Sequence, residues 1–456
     1  MRTRKFSVAQ VISAALLATG LPGAARAQIS LSTAVALAEK NSPTVHAALA
    51  EEQRAAALRG QAKDVYVPNF VLGVSPGYAY GFPLGYPSFF NASSSSLVFS
   101  WSQPDYIRAA NSGVKSAALA LENTEQQVAL DASLDYVELD HDLAEIAALD
   151  EEKGYTDSLT QIEGDRVRAG VDPRMSELQA ELTAAQVDEK RIHLENDADD
   201  MRQKIAHLTG LPAEGLTTKS ASVPKVDGAW FGGGSDDQTA EKNPGVAAAY
   251  ANAKAKYYTA FGDEKQNFRP TAAFGAQYAL FEKTPGYTEY YRNFQYNNVE
   301  LGVQLTFPLF DAARRAKARQ SEAEAAKAQA DADASRDVLS EQTSAMRHAL
   351  RELAAQQKVN QLQSELAQAQ LQTVETQFTN GTGSPNATPV TPKEEQQAHI
   401  DEREKYEDVL DANFSLLKVQ LDLLRATGQL DTWLRSAVNG PPPAPSPAAT
   451  HSIQEP

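Results

Sequence analysis

The chain repeats itself at a period near 200 residues, and this duplication constrains the fold more than any other feature. Asn41-Ser42-Pro43 recurs as Asn243-Pro244, and Tyr66-Val67-Pro68 before Phe70 recurs as Phe268-Arg269-Pro270 before Phe274. Gln103-Pro104-Asp105 recurs as Phe307-Pro308-Leu309-Phe310-Asp311, and Leu208-Thr209-Gly210-Leu211 as Ala426-Thr427-Gly428-Gln429-Leu430. Pro43 to Pro244 is 201 residues and Gly210 to Gly428 is 218, so the second copy carries insertions. A unit this long exceeds a solenoid repeat and reads as a duplicated, domain-sized element. Each copy has the same order: helix, two strands, long helix, tight turn, helix.

The strand signals are strict period-two alternations. Val299, Leu301, Val303, Leu305 and Phe307 alternate with Glu300, Gly302, Gln304 and Thr306. Phe274, Tyr278 and Leu280 alternate with Gly275, Gln277 and Ala279, and Phe70, Leu72, Val74, Tyr78 and Tyr80 with Val71, Gly73, Ser75, Gly77 and Ala79. Leu97, Phe99 and Trp101 alternate with Ser96, Ser100 and Ser102, with Val98 out of pattern. The runs predict strands at about 69–80, 93–103, 271–281 and 297–307. Ten residues tilted by roughly 40° span ~25 Å, the height of a lipid-facing barrel band. On this reading Phe70, Leu72, Phe99, Trp101, Phe274, Tyr278, Leu301, Val303 and Leu305 face lipid. A soluble sandwich face also alternates. The connections at 81–92 and 282–296 argue for a membrane interface, since they hold Phe82, Tyr86, Phe89, Phe90, Tyr287, Tyr290, Tyr291, Phe294 and Tyr296. Four strands leave two open edges, so closure needs strands from sister chains.

The helices are long. No Pro interrupts Asp105 to Ala169; 65 continuous residues reach roughly 97 Å. Heptad spacing marks the return helices, at Leu194, Ala198, Met201, Ile205 and Leu208 and at Leu410, Phe414, Leu417, Leu421 and Leu424. These are packing seams. The first copy turns at Gly170-Val171-Asp172-Pro173, a helix stop followed by a start. The second turn, 380–392, is longer and contains Gly381 and Gly383. The expected organisation is a signal peptide at 1–27 and a first repeat at 28–211, with long helix 105–169 and return helix 174–209. A Gly- and Pro-rich linker at 212–240 leads to a second repeat at 241–435, with long helix 311–379 and return helix 393–427. A Pro-rich disordered tail closes the chain at 436–456.

Export is written at the N-terminus. Arg2, Arg4 and Lys5 precede an apolar stretch from Val8 to Leu21, and Ala25-Arg26-Ala27 provides a cleavage pattern before Gln28. No cysteine occurs, which excludes disulfides, a thiol nucleophile and a lipid attached through cysteine. Removing the four basic residues of the signal takes the net charge from −17 to −21. Such a chain repels phosphate backbones, so nucleic acid is not an expected partner. No later window holds 18 consecutive apolar residues, so membrane entry requires a closed barrel rather than a helix.

With these features in order, the chain resembles the TolC-like outer membrane efflux proteins over residues 28 to about 435. The residues that carry the likeness are Leu31-Ser32-Thr33-Ala34-Val35-Ala36-Leu37-Ala38 before Asn41-Ser42-Pro43, Arg168-Ala169-Gly170, Glu177-Leu178-Gln179-Ala180, Leu208-Thr209-Gly210 and Val409-Leu410-Asp411-Ala412. The resemblance implies a mainly α chain with a β-barrel section. It implies a homotrimer with a twelve-stranded barrel in the outer membrane of a Gram-negative bacterium, four strands per chain, continued by an α-helical tunnel in the periplasm. It implies a passive duct, not an enzyme, that needs no cofactor. A periplasmic adaptor and an inner-membrane transporter would dock at the tips, Gly170, Val171, Asp172, Pro173, Gly381 and Gly383. It also implies carboxylates near the second tip that form an ion filter. Counting back from Gly428 places that pair at Glu394 and Gln397, the second of them neutral. A coiled-coil structural or adhesive protein is the alternative, although a stalk needs neither alternating strands nor aromatic loops.

Other chemistry is set aside. Glu138 and His141 have the i, i+3 spacing of a di-iron ligand pair, but no second such pair exists, and ion pairing at a surface is the expectation. Asp135, Glu138, Asp140 and Asp142 read as a solvated acidic patch. No Gly-x-Ser-x-Gly, His-Glu-x-x-His or phosphate loop occurs; Gly232-Gly233-Gly234 lacks the flanking strand and helix.

Overall fold

The computed structural model of the protein describes residues 27–76, 88–226, 228–231, 240, 242–281, 295–380 and 390–439. In chain order the elements are β1 (Ala27–Ile29), α1 (Leu31–Asn41), α2 (Pro43–Asp64), β2 (Asn69–Val74), β3 (Ser88–Ser100), α3 (Gln103–Arg168) and α4 (Arg174–Thr209). There follow β4 (Leu216–Thr218), α5 (Pro244–Gln266), β5 (Thr271–Phe281), β6 (Asn297–Thr306), α6 (Ala312–Asn380), α7 (Pro392–Ala426) and α8 (Leu430–Asn439).

The repeated motifs are helix starts and stops. Pro43 and Pro244 sit in the first turns of α2 and α5, where a missing N–H costs nothing. Asn243 caps α5 by accepting from the Gly245 N–H at 2.9 Å. α3 ends in a Schellman turn, with Gly170 N donating to Val167 O and Val171 N to Arg166 O, and Gly170 at φ 72°. Gly428, at φ 69°, closes α7 in the same way, with Gln429 N donating to Leu424 O at 2.7 Å. Between these punctuation marks α3 runs 66 residues and α6 runs 69, or about 100 Å each.

The duplication sets the topology. One antiparallel sheet has the order β2-β3-β5-β6, and α2, α3, α5 and α6 pack side by side in the same sequence. At the far end, α3 and α4 form one helical hairpin and α6 and α7 the other, with α7 also packed on α3. Just below the sheet, Lys265 pairs with the buried Asp105 at 2.5 Å. Tyr106 and Ser321 both donate to the buried Asp263, at 2.6 and 2.5 Å. Those contacts lock α3, α5 and α6 together. Gly262 is obligatory there, because a Cβ would lie 2.6 Å from the Tyr106 ring.

The main core is a belt partway along the helices. β1 pairs in parallel with β4, and Leu31, Leu139, Ile205, Leu216, Leu421, Leu424, Leu430 and Trp433 bury together beneath them. Tyr136 is fully buried at its centre. Its hydroxyl donates to Ile29 O at 2.8 Å and accepts from Lys219 N at 2.7 Å. Asn41 donates to Thr209 O at 2.6 Å, capping the end of α4. α8 runs to Asn439, into the stretch read as tail.

Candidate functional site

The sheet has two chemically distinct faces, and register assigns them. Phe70 pairs with Ser94, Ser94 with Ala276 and Ala276 with Leu301; Leu72 aligns in the same way with Ala92, Tyr278 and Val299. Val74, Phe90, Leu280, Phe274, Val303 and Leu305 share that face. The opposite face presents Asn69, Ser95, Gly275 and Gly302 in one row and Val71, Ser93, Gln277 and Glu300 in the next. Neither face is covered: Phe70 is 81% and Leu301 75% exposed, and every residue of β6 is exposed. Of the residues expected to meet lipid, Leu72, Phe99, Trp101, Val303 and Leu305 are exposed and Phe274 and Tyr278 partly so.

One alternation is corrected. Leu97 pairs with Ala273 and Phe99 with Ala272, so Val98 is the extra residue of a β-bulge. The bulge flips the parity, putting Leu97 on the polar face and Phe99 on the apolar one. Of the expected interfacial aromatics, Phe89, Phe90 and Tyr296 are described. Tyr78, Tyr80, Phe82, Tyr86, Tyr287, Tyr290, Tyr291 and Phe294 lie outside the described residues.

At the hairpin end, Arg166 donates to Asp172 at 2.5 Å and holds its carboxyl below the usual range. Val171 and Pro173 are exposed beside it. Buried Glu163 is paired with Lys393, tying the end of α3 to the start of α7. Glu394 is committed to a capping box: Thr391 N donates to its carboxylate at 2.7 Å, which lowers its pKa, and Glu394 N donates to Thr391 Oγ1 at 3.4 Å. Gln397 donates to Asp401 at 2.9 Å. Glu394, Gln397 and Asp401 line one groove between α7 and α6. Asp401 was missed in the sequence, though its position one turn after Gln397 puts it on the same face. Gly381 and Gly383 lie outside the described residues.

The acidic stretch of α3 is not a solvated patch. Asp142, Glu145 and Glu152 are buried, and Asp140 accepts from Thr218 and Ser220 at 2.6 and 2.7 Å. Burial pushes Asp135 and Asp142 up to about 6. Lys190 of α4 reaches both Glu145 of α3, at 2.6 Å, and Glu407 of α7, at 2.7 Å. Burial opposes its charge, but the two carboxylates more than offset that and raise its pKa. Glu152 is pushed up to about 8 by burial, then by its hydrogen bond to Glu407. Glu407 Oε1 is buried there with no hydrogen-bond partner among the described residues. His141, expected at a surface, is largely buried and stacks on Phe414, ring centroids 4.6 Å apart.

The overall fold recurs in solved structures. The chain superposes on the outer-membrane channel OprN with a TM-score of 0.71 at 16% identity, covering 89% of this chain and 90% of that one. The fold is that of an outer-membrane channel. The CmeC outer membrane channel of Campylobacter jejuni matches with a TM-score of 0.70 at 13% identity, over 88% of this chain and 86% of that one. The open state of the MtrE outer membrane channel of Neisseria gonorrhoeae matches with a TM-score of 0.70 at 13% identity, over 88% and 89%. No family model and no curated protein matches the chain in sequence. The likeness to TolC-like proteins read from the sequence therefore holds at the level of this channel fold.

Proposed function

We propose that the protein is a passive export duct in the outer membrane of a Gram-negative bacterium, extending into the periplasm. The observation that carries this reading is the open sheet. Its apolar face is far too exposed for water, and both its edges, β2 and β6, are unpaired within the chain. Three copies would join β6 of one to β2 of the next, closing twelve strands with the apolar face toward lipid and Ser93, Gln277 and Glu300 toward the lumen. The helices α2, α3, α5 and α6, in the same lateral order, would continue the wall as a tunnel.

A periplasmic adaptor and an inner-membrane transporter would engage the hairpin ends, of which Gly170–Pro173 is one. The duct performs no covalent chemistry and supplies no energy. Glu394 would bring carboxylates to the axis near the tips, and Asp401 would add the charge that Gln397 lacks. No observation favours the adhesive or structural alternative. Planar bilayer recording of the detergent-extracted protein tests the reading: stepwise conductance from a heat-sensitive trimer is expected. A monomer soluble without detergent, or a silent bilayer, would overturn it.

A further inference from the structure

We propose that His141, Glu145 and Asp411 form a binding site for a divalent transition ion of the Zn²⁺ class, joining α3 of the first repeat to α7 of the second. His141 Nε2 lies 3.3 Å from Glu145 Oε2 and 3.2 Å from Asp411 Oδ1, and the three donor atoms fall within 4.8 Å of one another. Tetrahedral zinc has ligand bonds of about 2.0–2.2 Å, so its ligand-to-ligand edges are roughly 3.4 Å. Two of the three edges are thus already at the length an ion would impose.

The donors are held in place for independent reasons. The His141 ring is clamped face to face on Phe414, 4° from parallel. The Glu145 side chain is only 4% exposed, and its second oxygen is engaged by Lys190 at 2.6 Å, which leaves Oε2 for the imidazole. Asp411, at 58%, is the ligand that opens to solvent and would admit the ion with a water in the fourth position. Beside them Asp142 is buried with one carboxylate oxygen lacking any hydrogen-bond partner among the described residues. One imidazole and two carboxylates suit zinc and its neighbours; the absence of a thiolate or thioether donor disfavours Cu(I). An ion here would fasten the second repeat's return helix to the first repeat's long helix beside the Lys190 bridge, whether or not the chain forms a duct.

The test is calorimetric titration of the metal-stripped full-length chain in detergent with Zn²⁺, paired with Co²⁺ absorption. One ion per chain and tetrahedral Co²⁺ bands are expected. His141→Gln and Asp411→Asn should each weaken binding at least tenfold. His193→Ala, which removes an exposed His–Asp pair without a third ligand, should leave it unchanged. Asp411 is exposed enough that its variant keeps the fold, which circular dichroism checks. Absence of stoichiometric binding, or binding that survives Asp411→Asn, overturns the site.

Discussion

The sheet and the belt are built from similar residues and behave in opposite ways. In the belt, Leu31, Leu139, Leu421 and Trp433 vanish from solvent within a single chain. In the sheet, Phe70, Leu301 and Leu305 stay bare. The belt gathers eight elements from both repeats around one centre, whereas the sheet is one layer with nothing stacked on it. A single layer cannot bury its own apolar face, and four strands cannot remove their own edges. The belt is therefore a property of the chain, whereas on the proposed reading the sheet acquires its environment from lipid and neighbouring copies.

This contrast can be broken most directly at Trp433. Trp433→Ala deletes a fully buried side chain and is expected to cost about 3–5 kcal/mol, read as a lowered unfolding midpoint in detergent. In the sheet, Leu301→Arg places a charge on the lipid side and is expected to cost roughly 2–4 kcal/mol of barrel stability in liposomes. Glu300→Arg, one residue away on the polar face, should change it little; equal effects would refute the facial assignment. Tyr136→Phe should cost about 1–3 kcal/mol by stranding Lys219 N and Ile29 O in the belt.

A smaller effect is expected from pH. Glu152 titrates near 8 in the fold, far above an ordinary carboxyl, because burial and the facing Glu407 and Glu404 outweigh Lys190. Its contribution to stability is complete below the ordinary carboxyl range and is lost as pH rises through about 8. Unfolding midpoints at pH 6 and pH 9 should show this drop, and Glu152→Gln should flatten it. Least disruptive is Glu394→Gln, which preserves the capping box while removing charge. It should weaken divalent-cation block of conductance without moving the melting temperature; unchanged block would remove Glu394 from the filter.

Much of the fold was legible because its signals are local. Alternation marked β5 and β6, the Pro-free run marked α3, and Gly170 and Gly428 marked the ends of α3 and α7. Val98 looked like noise in a polar set and is instead the bulge that re-aims Phe99. The charged stretch of α3 was misread for a different reason. Asp142, Glu145 and Glu152 sit on an acidic helix, and nothing nearby in sequence announces that α4 and α7 will cover them. The partners of Glu145 and Glu152, Lys190 and Glu407, come from other helices.

Primary structure alone settles what depends on neighbours along the chain: duplication, strand periodicity and helix punctuation. Packing settles what depends on residues hundreds of positions apart: which carboxylates are buried, which imidazole meets two of them, and which face of a bulged strand is apolar. The physical reason is that backbone preferences act over a few residues, while desolvation and pairing are set by whatever lands alongside.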